Sequence, residues 1–591
     1  MAEGFLQRYN DELAALRRRA SRFAESFPKI AGRLRVTGDI ADDPHVERLI
    51  QSFAYSAARI RQKLDDEFPE LTSGLLETLY PHYLAPIPSM SIVRFTPGDT
   101  LAGVQTVPRH TEILAEPIGG EICRFRTTQD VEIAPVHLDA ARLSGLPIEA
   151  PLSSFGGAAS CLRLSLRHND ASKSLAEAGL RSLRFHLASG WPEASALYEL
   201  LANHTIGIAL ARHADDPEAV FLSRDHLRRV GFEGGEAMLP YPSSSFTGYR
   251  LLTEFFALPQ KFLFLDIAGL ERWKGVTLEI FVYLDDADTK LERSVGTRDF
   301  ALHATPAVNL FRQSCEPILL DGARTEHRLL PDSRRQRTRE IHSVERVLVT
   351  GRDGREEICR PFFGRSLRGS ATDRFWQTER HFEDGEGFCD IAFVDADRHA
   401  SAGLDAVASI DALCLNRDLP EKLPFGGGHP HLQIASGHEA VAKVEALMPP
   451  TPSVRMHDHD GRNWRLMSHL QLNHLSLFDN EGAALKDILS LYAFRDSPET
   501  KQLVDAIVAV EARPSTARLG SGGMVPGTEI AITFDPAMID RGSAYLFGAV
   551  LECFFGLYTS INTFTRLTVS MRGQSTPIAK WQARAAERPL L

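Results

Sequence analysis

The chain has 591 residues, with 66 Lys+Arg against 77 Asp+Glu and a formal net charge of −11, enough length for about three to five domains of ~100–200 residues. A hydrophobic share of 43% and a charged share of 24% exclude a disordered or fibrous chain, and the acidic balance argues against a general nucleic-acid binder, which needs a basic face for phosphate. Seven cysteines stand singly, with no C-x-x-C pair, and the N-terminus mixes charges instead of building an apolar signal core, so a reducing, cytoplasmic location is expected.

The first elements are helical. Phe5, Tyr9, Leu13, Leu16, Ala20, Phe23 and Phe27 recur at steps of three and four before Pro28, which predicts one apolar seam along a helix. A second seam, Val46, Ile50, Phe53, Ala57, Ile60 and Leu64, follows the acidic start Asp42-Asp43-Pro44. Two such seams form either a helical hairpin or a seat for partner helices. Phe5, Tyr9, Leu13, Leu16, Phe23, Val46, Ile50, Phe53, Ile60 and Leu64 are therefore the candidate protein-interface residues. Residues 1–70 hold 12 basic and 12 acidic side chains, a balance that suits a protein partner better than a phosphate backbone.

After a proline-rich hinge, Tyr80 to Pro88, short alternating runs such as SIVRF, CLRLSL, KFLFLDI and VTLEIFVYL predict strands with one buried face. Helices are expected at Glu193–Asn203 and Thr247–Leu258, and Phe425–His431 reads as a linker or loop. Beyond it, helices are expected at Trp464–Leu477, Ala483–Phe494 and Pro498–Ile507, and strands at Ile507–Arg513, Glu529–Phe534 and Thr563–Met571. Leu519–Gly527 is a connecting loop. Ser543–Ile561 is apolar enough to suggest a membrane span, but Glu552 at its centre would be costly in lipid, so a buried helix is expected. The fold class is multidomain, elongated α+β. It divides into a helical arm at 1–88, a β-rich domain with inserted helices at 89–300, a second β-rich region at 301–424 and an α+β domain at 425–591.

Chemistry is hard to find. His457 and His459, in Met456-His457-Asp458-His459-Asp460, could share a metal in a hydrolase, but His469 and His474 do not converge on them and no calcium-loop ligands fall in place. Gly426-Gly427-Gly428 is not a phosphate loop, Ser521 is not in a nucleophile elbow, and Asp65-Asp66-Glu67 is a charged helix end. The run Arg334–Arg339 reads as a surface loop or an interface in preference to a nucleic-acid patch. Only 11 of the 66 basic residues are Lys, an excess of Arg that suits interfaces and that genome composition also produces. No cofactor and no catalytic residue are expected.

Several strings, in order, resemble the TssF family, also called VasA or ImpG. They are Tyr9-Asn10-Asp11-Glu12-Leu13, Phe27-Pro28-Lys29-Ile30, Asp43-Pro44-His45-Val46, Lys63 to Leu71, Leu79-Tyr80-Pro81-His82-Tyr83, Val308-Asn309-Leu310-Phe311, Asn416-Arg417-Asp418-Leu419-Pro420, Trp464-Arg465-Leu466 and Leu546-Phe547-Gly548 with Asn562-Thr563-Phe564. His474 departs from the pattern, where a tyrosine is expected. The resemblance implies a cytoplasmic, non-enzymatic subunit of the type VI secretion system baseplate, docked at the inner-membrane complex. It implies two copies per TssG in a wedge that binds TssK and TssE, surrounds the spike hub (VgrG) and supports sheath assembly.

Overall fold

The computed structural model describes residues 43–65, 75–455 and 482–585, apart from gaps at 78, 153–154, 171–172, 174, 176–177, 243–244, 363–373, 384–385, 396–405, 496, 519–522 and 560–562. It also describes Tyr9, Leu13, Leu16, Arg17, 36–37, 40–41, 465 and 466. The chain divides into two units, one of residues 1–81 with 457–471 and one of 82–456 with 472–591.

In the first unit the expected second helix runs Pro44–Asp65. Asp43 starts it: its carboxylate accepts from His45 N–H at 2.8 Å, and its carbonyl accepts the first helical bond from Glu47 N–H at 3.0 Å. Glu47, in the first turn, lies where the exposed N–H groups favour negative charge.

The second unit is β-rich. Six strands close into a barrel in the order Ala304–Val308, Met90–Pro97, Val441–Ala446, Leu432–Ile434, Glu112–Ile118 and Glu121–Thr127. Alternate side chains point inward, as period two requires, so Val93, Phe95, Ile113, Phe125, Ala307 and Val444 fill the interior. These strands come from spans 89–300, 301–424 and 425–591, which therefore share one core. The Phe425–His431 stretch is an exposed loop that leads into barrel strand Leu432–Ile434 and is folded on itself by a Gly426–His429 bridge.

Three further sheets adjoin in sequence. One is five-stranded, with Leu278–Leu284 between Thr205–Ala211 and Ser160–His168; one is four-stranded, around Phe264–Ala268 and Ser182–Leu187; one is eight-stranded, around Glu340–Thr350 and Ala406–Leu415. The helices Trp191–His204 and Thr247–Ala257 stand within a residue or two of expectation.

The C-terminal sheet corrects two boundaries. Strand Ile507–Arg518 runs through Pro514, where the sequence predicted a stop, and strand Met524–Phe534 begins inside the expected loop. Ile507–Arg518 is an edge strand, and an edge tolerates a proline because one row of its backbone groups has no ladder partner. Met524–Phe534 and Phe564–Met571 pair in parallel, which demands a long crossover. The helix Arg541–Tyr558 supplies it.

That helix is buried nearly all round, as its apolar run requires. Asp540 caps it, accepting from Ser543 N–H at 2.9 Å. A Cβ on Gly542 would lie 2.5 Å from the backbone of Ser195 and Ala196, so only glycine lets the two helices approach this closely. Phe547 stacks on Phe255 of the Thr247–Ala257 helix, with centroids 5.3 Å apart and planes at 4°.

Candidate functional site

The proposed interface lies on the first unit. Among the described side chains of the Pro44–Asp65 helix, Ala54 and Ala58 are fully buried, while Ile50 and Ala57 are half-buried. Phe53 is 64% exposed and Leu49 is 70% exposed. Adjacent helical residues point about 100° apart, so the buried stripe is turned away from the predicted seam, and Phe53 stands at its margin, not inside it. Leu49 and Phe53, four apart, form a neighbouring pair on the helix surface. Leu75 and Leu79, also four apart, are half exposed as well. Arg17 pairs with Glu47 at 2.5 Å, and Gln51 donates to the same carboxylate oxygen at 3.3 Å.

Of the other candidates, Tyr9, Leu13 and Leu16 are half-buried. Val46, Ile60 and Leu64 fall on the helix, and Phe5 and Phe23 lie outside the described residues. So do His457, His459, His469 and His474, and Ser521. Leu49 stands outside the heptad seam, four residues from Phe53.

The recurring strings acquire structural roles. Asn309 and Asn416 are fully buried and bond each other twice: Asn309 Nδ2 donates to Asn416 Oδ1 at 2.8 Å, and Asn416 N–H donates to Asn309 Oδ1 at 2.7 Å. Asn309 Nδ2 also donates to the Arg124 carbonyl at 2.8 Å, and Arg124 N–H donates to Asn416 Oδ1 at 2.9 Å. This closed network ties barrel strand Glu121–Thr127 to the ends of the long sheet, and full satisfaction is what makes buried amides tolerable. Arg417, in the left-handed region at φ 45°, donates to the carbonyls of Arg339 and Gly387, each at 3.2 Å.

The basic run is a loop, but part of it faces inward. Arg339 and Arg335 both donate to Oε1 of buried Glu121, at 2.9 and 3.0 Å. Arg339 is buried, so its charge is spent inside the protein, while Arg335 keeps an exposed side chain and reaches Glu121 from the surface. Glu254, also fully buried, accepts from Met238 N–H at 2.8 Å, from Leu239 N–H at 2.9 Å and from the Lys261 ammonium. Burial holds the Lys261 amine below its ordinary value, opposed by Glu254. These groups are sealed in the interior and contact one another, an arrangement that fixes packing and offers no access to a substrate.

All seven cysteines are free and buried; burial pushes the Cys123, Cys161, Cys315 and Cys553 thiols up to about 12, which keeps them protonated and unreactive. Among the described residues one group has metal-ligand proximity, Glu116 with His429 and His431. It was missed because 425–431 reads as a glycine-rich loop, although two histidines two apart were visible. Among the described residues no helix is long and apolar enough to cross a membrane.

Comparison with known proteins supports this picture of a scaffold. The family model for "Type VI secretion system, TssF" matches residues 1–588. Type VI secretion system component TssF1 of Pseudomonas aeruginosa is 33% identical, covering 99% of this chain and 99% of the relative. A chain of the TssK-TssF-TssG baseplate subcomplex, solved by cryo-electron microscopy, superposes with a TM-score of 0.73 at 27% identity, covering 92% of this chain and 99% of that one. A chain of the baseplate complex from the type VI secretion system gives 0.62 at 25% identity, covering 99% and 100%. Full-length agreement in sequence and fold shows that this chain belongs to the TssF family, a structural and non-enzymatic component of the type VI secretion system.

Proposed function

We propose that the chain is a wedge subunit of the baseplate, joining TssG through the helical arm of residues 1–88 and TssK through the β-rich and C-terminal parts. The observation that carries this reading is the likeness, over 92% of the chain, to a chain solved within a TssK-TssF-TssG subcomplex. The exposed Leu49 and Phe53 pair adds a face suited to a partner helix, since burying each side chain is worth about 1.5–3 kcal/mol. Two copies would serve each TssG, and the wedge would in turn contact TssE, the spike hub and the sheath. Such a subunit works in the cytoplasm, with the baseplate docked on the inner-membrane complex. It needs rigid packing within each body and surfaces that can rearrange between bodies when contraction is triggered.

The test is co-expression with TssG and TssK. Leu49→Asp with Phe53→Asp should reduce TssG recovery at least about ten-fold, as loss of more than ~1.4 kcal/mol implies. TssK binding to the β-rich part and the circular dichroism spectrum should stay unchanged. Recovery of TssG at the wild-type level would show that this helix face is not the seat.

A further inference from the structure

We propose that Glu116, His429 and His431 form a three-ligand site for a divalent transition metal, zinc by preference, which clasps the Gly426–Gly428 turn to the barrel wall. The ladder sets the geometry. Leu432 pairs with Ala115 and Gln433 with Leu114, so His431, one step further along, falls opposite Glu116. His429 lies two residues before it, outside the strand, which begins at Leu432.

The turn places His429 from the other side. Gly426, Gly427 and Gly428 have φ of 95°, 61° and 93°, three successive left-handed residues that only glycine adopts without strain. Gly426 N–H donates to the His429 carbonyl at 3.2 Å and His429 N–H donates to the Gly426 carbonyl at 3.1 Å. The imidazole is thereby laid on Glu116, with Nδ1 2.8 and 3.0 Å from the two carboxylate oxygens. The two imidazole centroids are 4.3 Å apart.

The candidate ligand atoms of the three residues all lie within 4.8 Å of one another. Ligands at ~2.0–2.1 Å around a tetrahedral zinc stand about 3.3 Å apart, so small rotations of the side chains complete the set. Two imidazoles and one carboxylate suit zinc better than calcium or magnesium, which take oxygen alone. The fourth position is left for water. His429 ligates as the neutral imidazole, through whichever ring nitrogen carries no proton. The clasp joins residues 313 apart in sequence, a long closure in an otherwise short-stranded part of the barrel.

The measurement is zinc content and affinity of tag-free, full-length protein, stripped with chelator, reloaded with zinc and gel-filtered. One zinc per chain is expected, with affinity, read by competition with a chromophoric chelator, falling at least about 100-fold in Glu116→Gln and in His431→Ala, since even an outer-shell partner costs 10–100-fold. Both variants should keep the wild-type melting temperature in chelator, because Glu116 and His431 lie at the barrel surface, and lose the zinc-dependent rise. No zinc retained after gel filtration, equal affinity in the variants, or zinc lost instead on His457→Ala with His459→Ala would overturn the proposal.

Discussion

Glu552 sits on a helix whose neighbours are aromatic and aliphatic, and it is held there by Arg584, whose Nε and Nη2 donate to its two oxygens at 2.6 and 3.2 Å. The sequence showed that this carboxylate made a membrane span improbable, but its partner, 32 residues on, was invisible. Arg584→Ala should lower unfolding stability by about 3 kcal/mol, the lower end for a broken buried pair, because Arg229 Nη2 remains 3.6 Å away. A urea midpoint equal to wild type would contradict this. The Arg excess has the same character at several positions: Arg339, Arg417 and Arg584 turn inward to carboxylates or carbonyls, where a planar fork satisfies more acceptors than an ammonium can. His303 is one of several histidines, with His82, His186 and His342, whose pKa burial lowers and that shape the pH dependence. Its Nε2 accepts from Ala134 N–H at 3.2 Å, and burial, with Arg94 adding repulsion, lowers it to about 4. The unfolded chain holds it near 6.5, so below that pH the unfolded state binds more protons and stability falls on acidification, down to about pH 4. His303→Asn, which keeps a side chain tolerant of φ 55°, should flatten this slope by up to about 1.4 kcal/mol per pH unit. An unchanged slope from pH 6.5 to 4.5 would refute the assignment.

At the scale of elements, periodicity carried most of the reading. Strands of period two and the helices Trp191–His204, Thr247–Ala257 and Arg541–Tyr558 were legible because each buries a face whose spacing is written in the chain. Boundaries failed where hydrogen bonding, not side-chain pattern, set the length, as in the hairpin whose register runs from Ile507↔Phe534 to Arg518↔Met524. The predicted seam is a separate matter. A seam read from spacing gives a direction to within a fraction of a turn, and the buried stripe through Ala54 and Ala58 differs from it by enough to leave Phe53 outside. Close approach between helices makes a separate test. Gly542→Val should destabilise by about 1–3 kcal/mol through overpacking against the 195–196 backbone, seen as a lower melting temperature with the same helix content. No change would mean the helices can separate at no cost.

The molecule as a whole carries the family assignment, since ordered strings from Tyr9 to Phe564 were visible before any contact was known. Two outcomes depend on the complete chain. Ending it after Pro424 removes strands Leu432–Ile434 and Val441–Ala446 from the barrel, leaving Met90–Pro97 and Glu112–Ile118 with unpaired edges, so the shortened protein should be recovered mainly as aggregate; a soluble product with native-like spectrum would show that the barrel closes without them. Seven buried thiols should react with a disulfide reagent slowly in the native chain and fully in denaturant, whereas prompt native titration would contradict their burial. The sequence by itself determined the α+β class, the buried C-terminal helix and the family, because composition, period and motif order are local properties of the chain. Only the tertiary structure decided that one barrel draws on three predicted regions, that Asn309 meets Asn416, and that Glu116 meets His429. Each of these joins residues separated by about a hundred positions or more, and local periodicity contains no term for such a pairing.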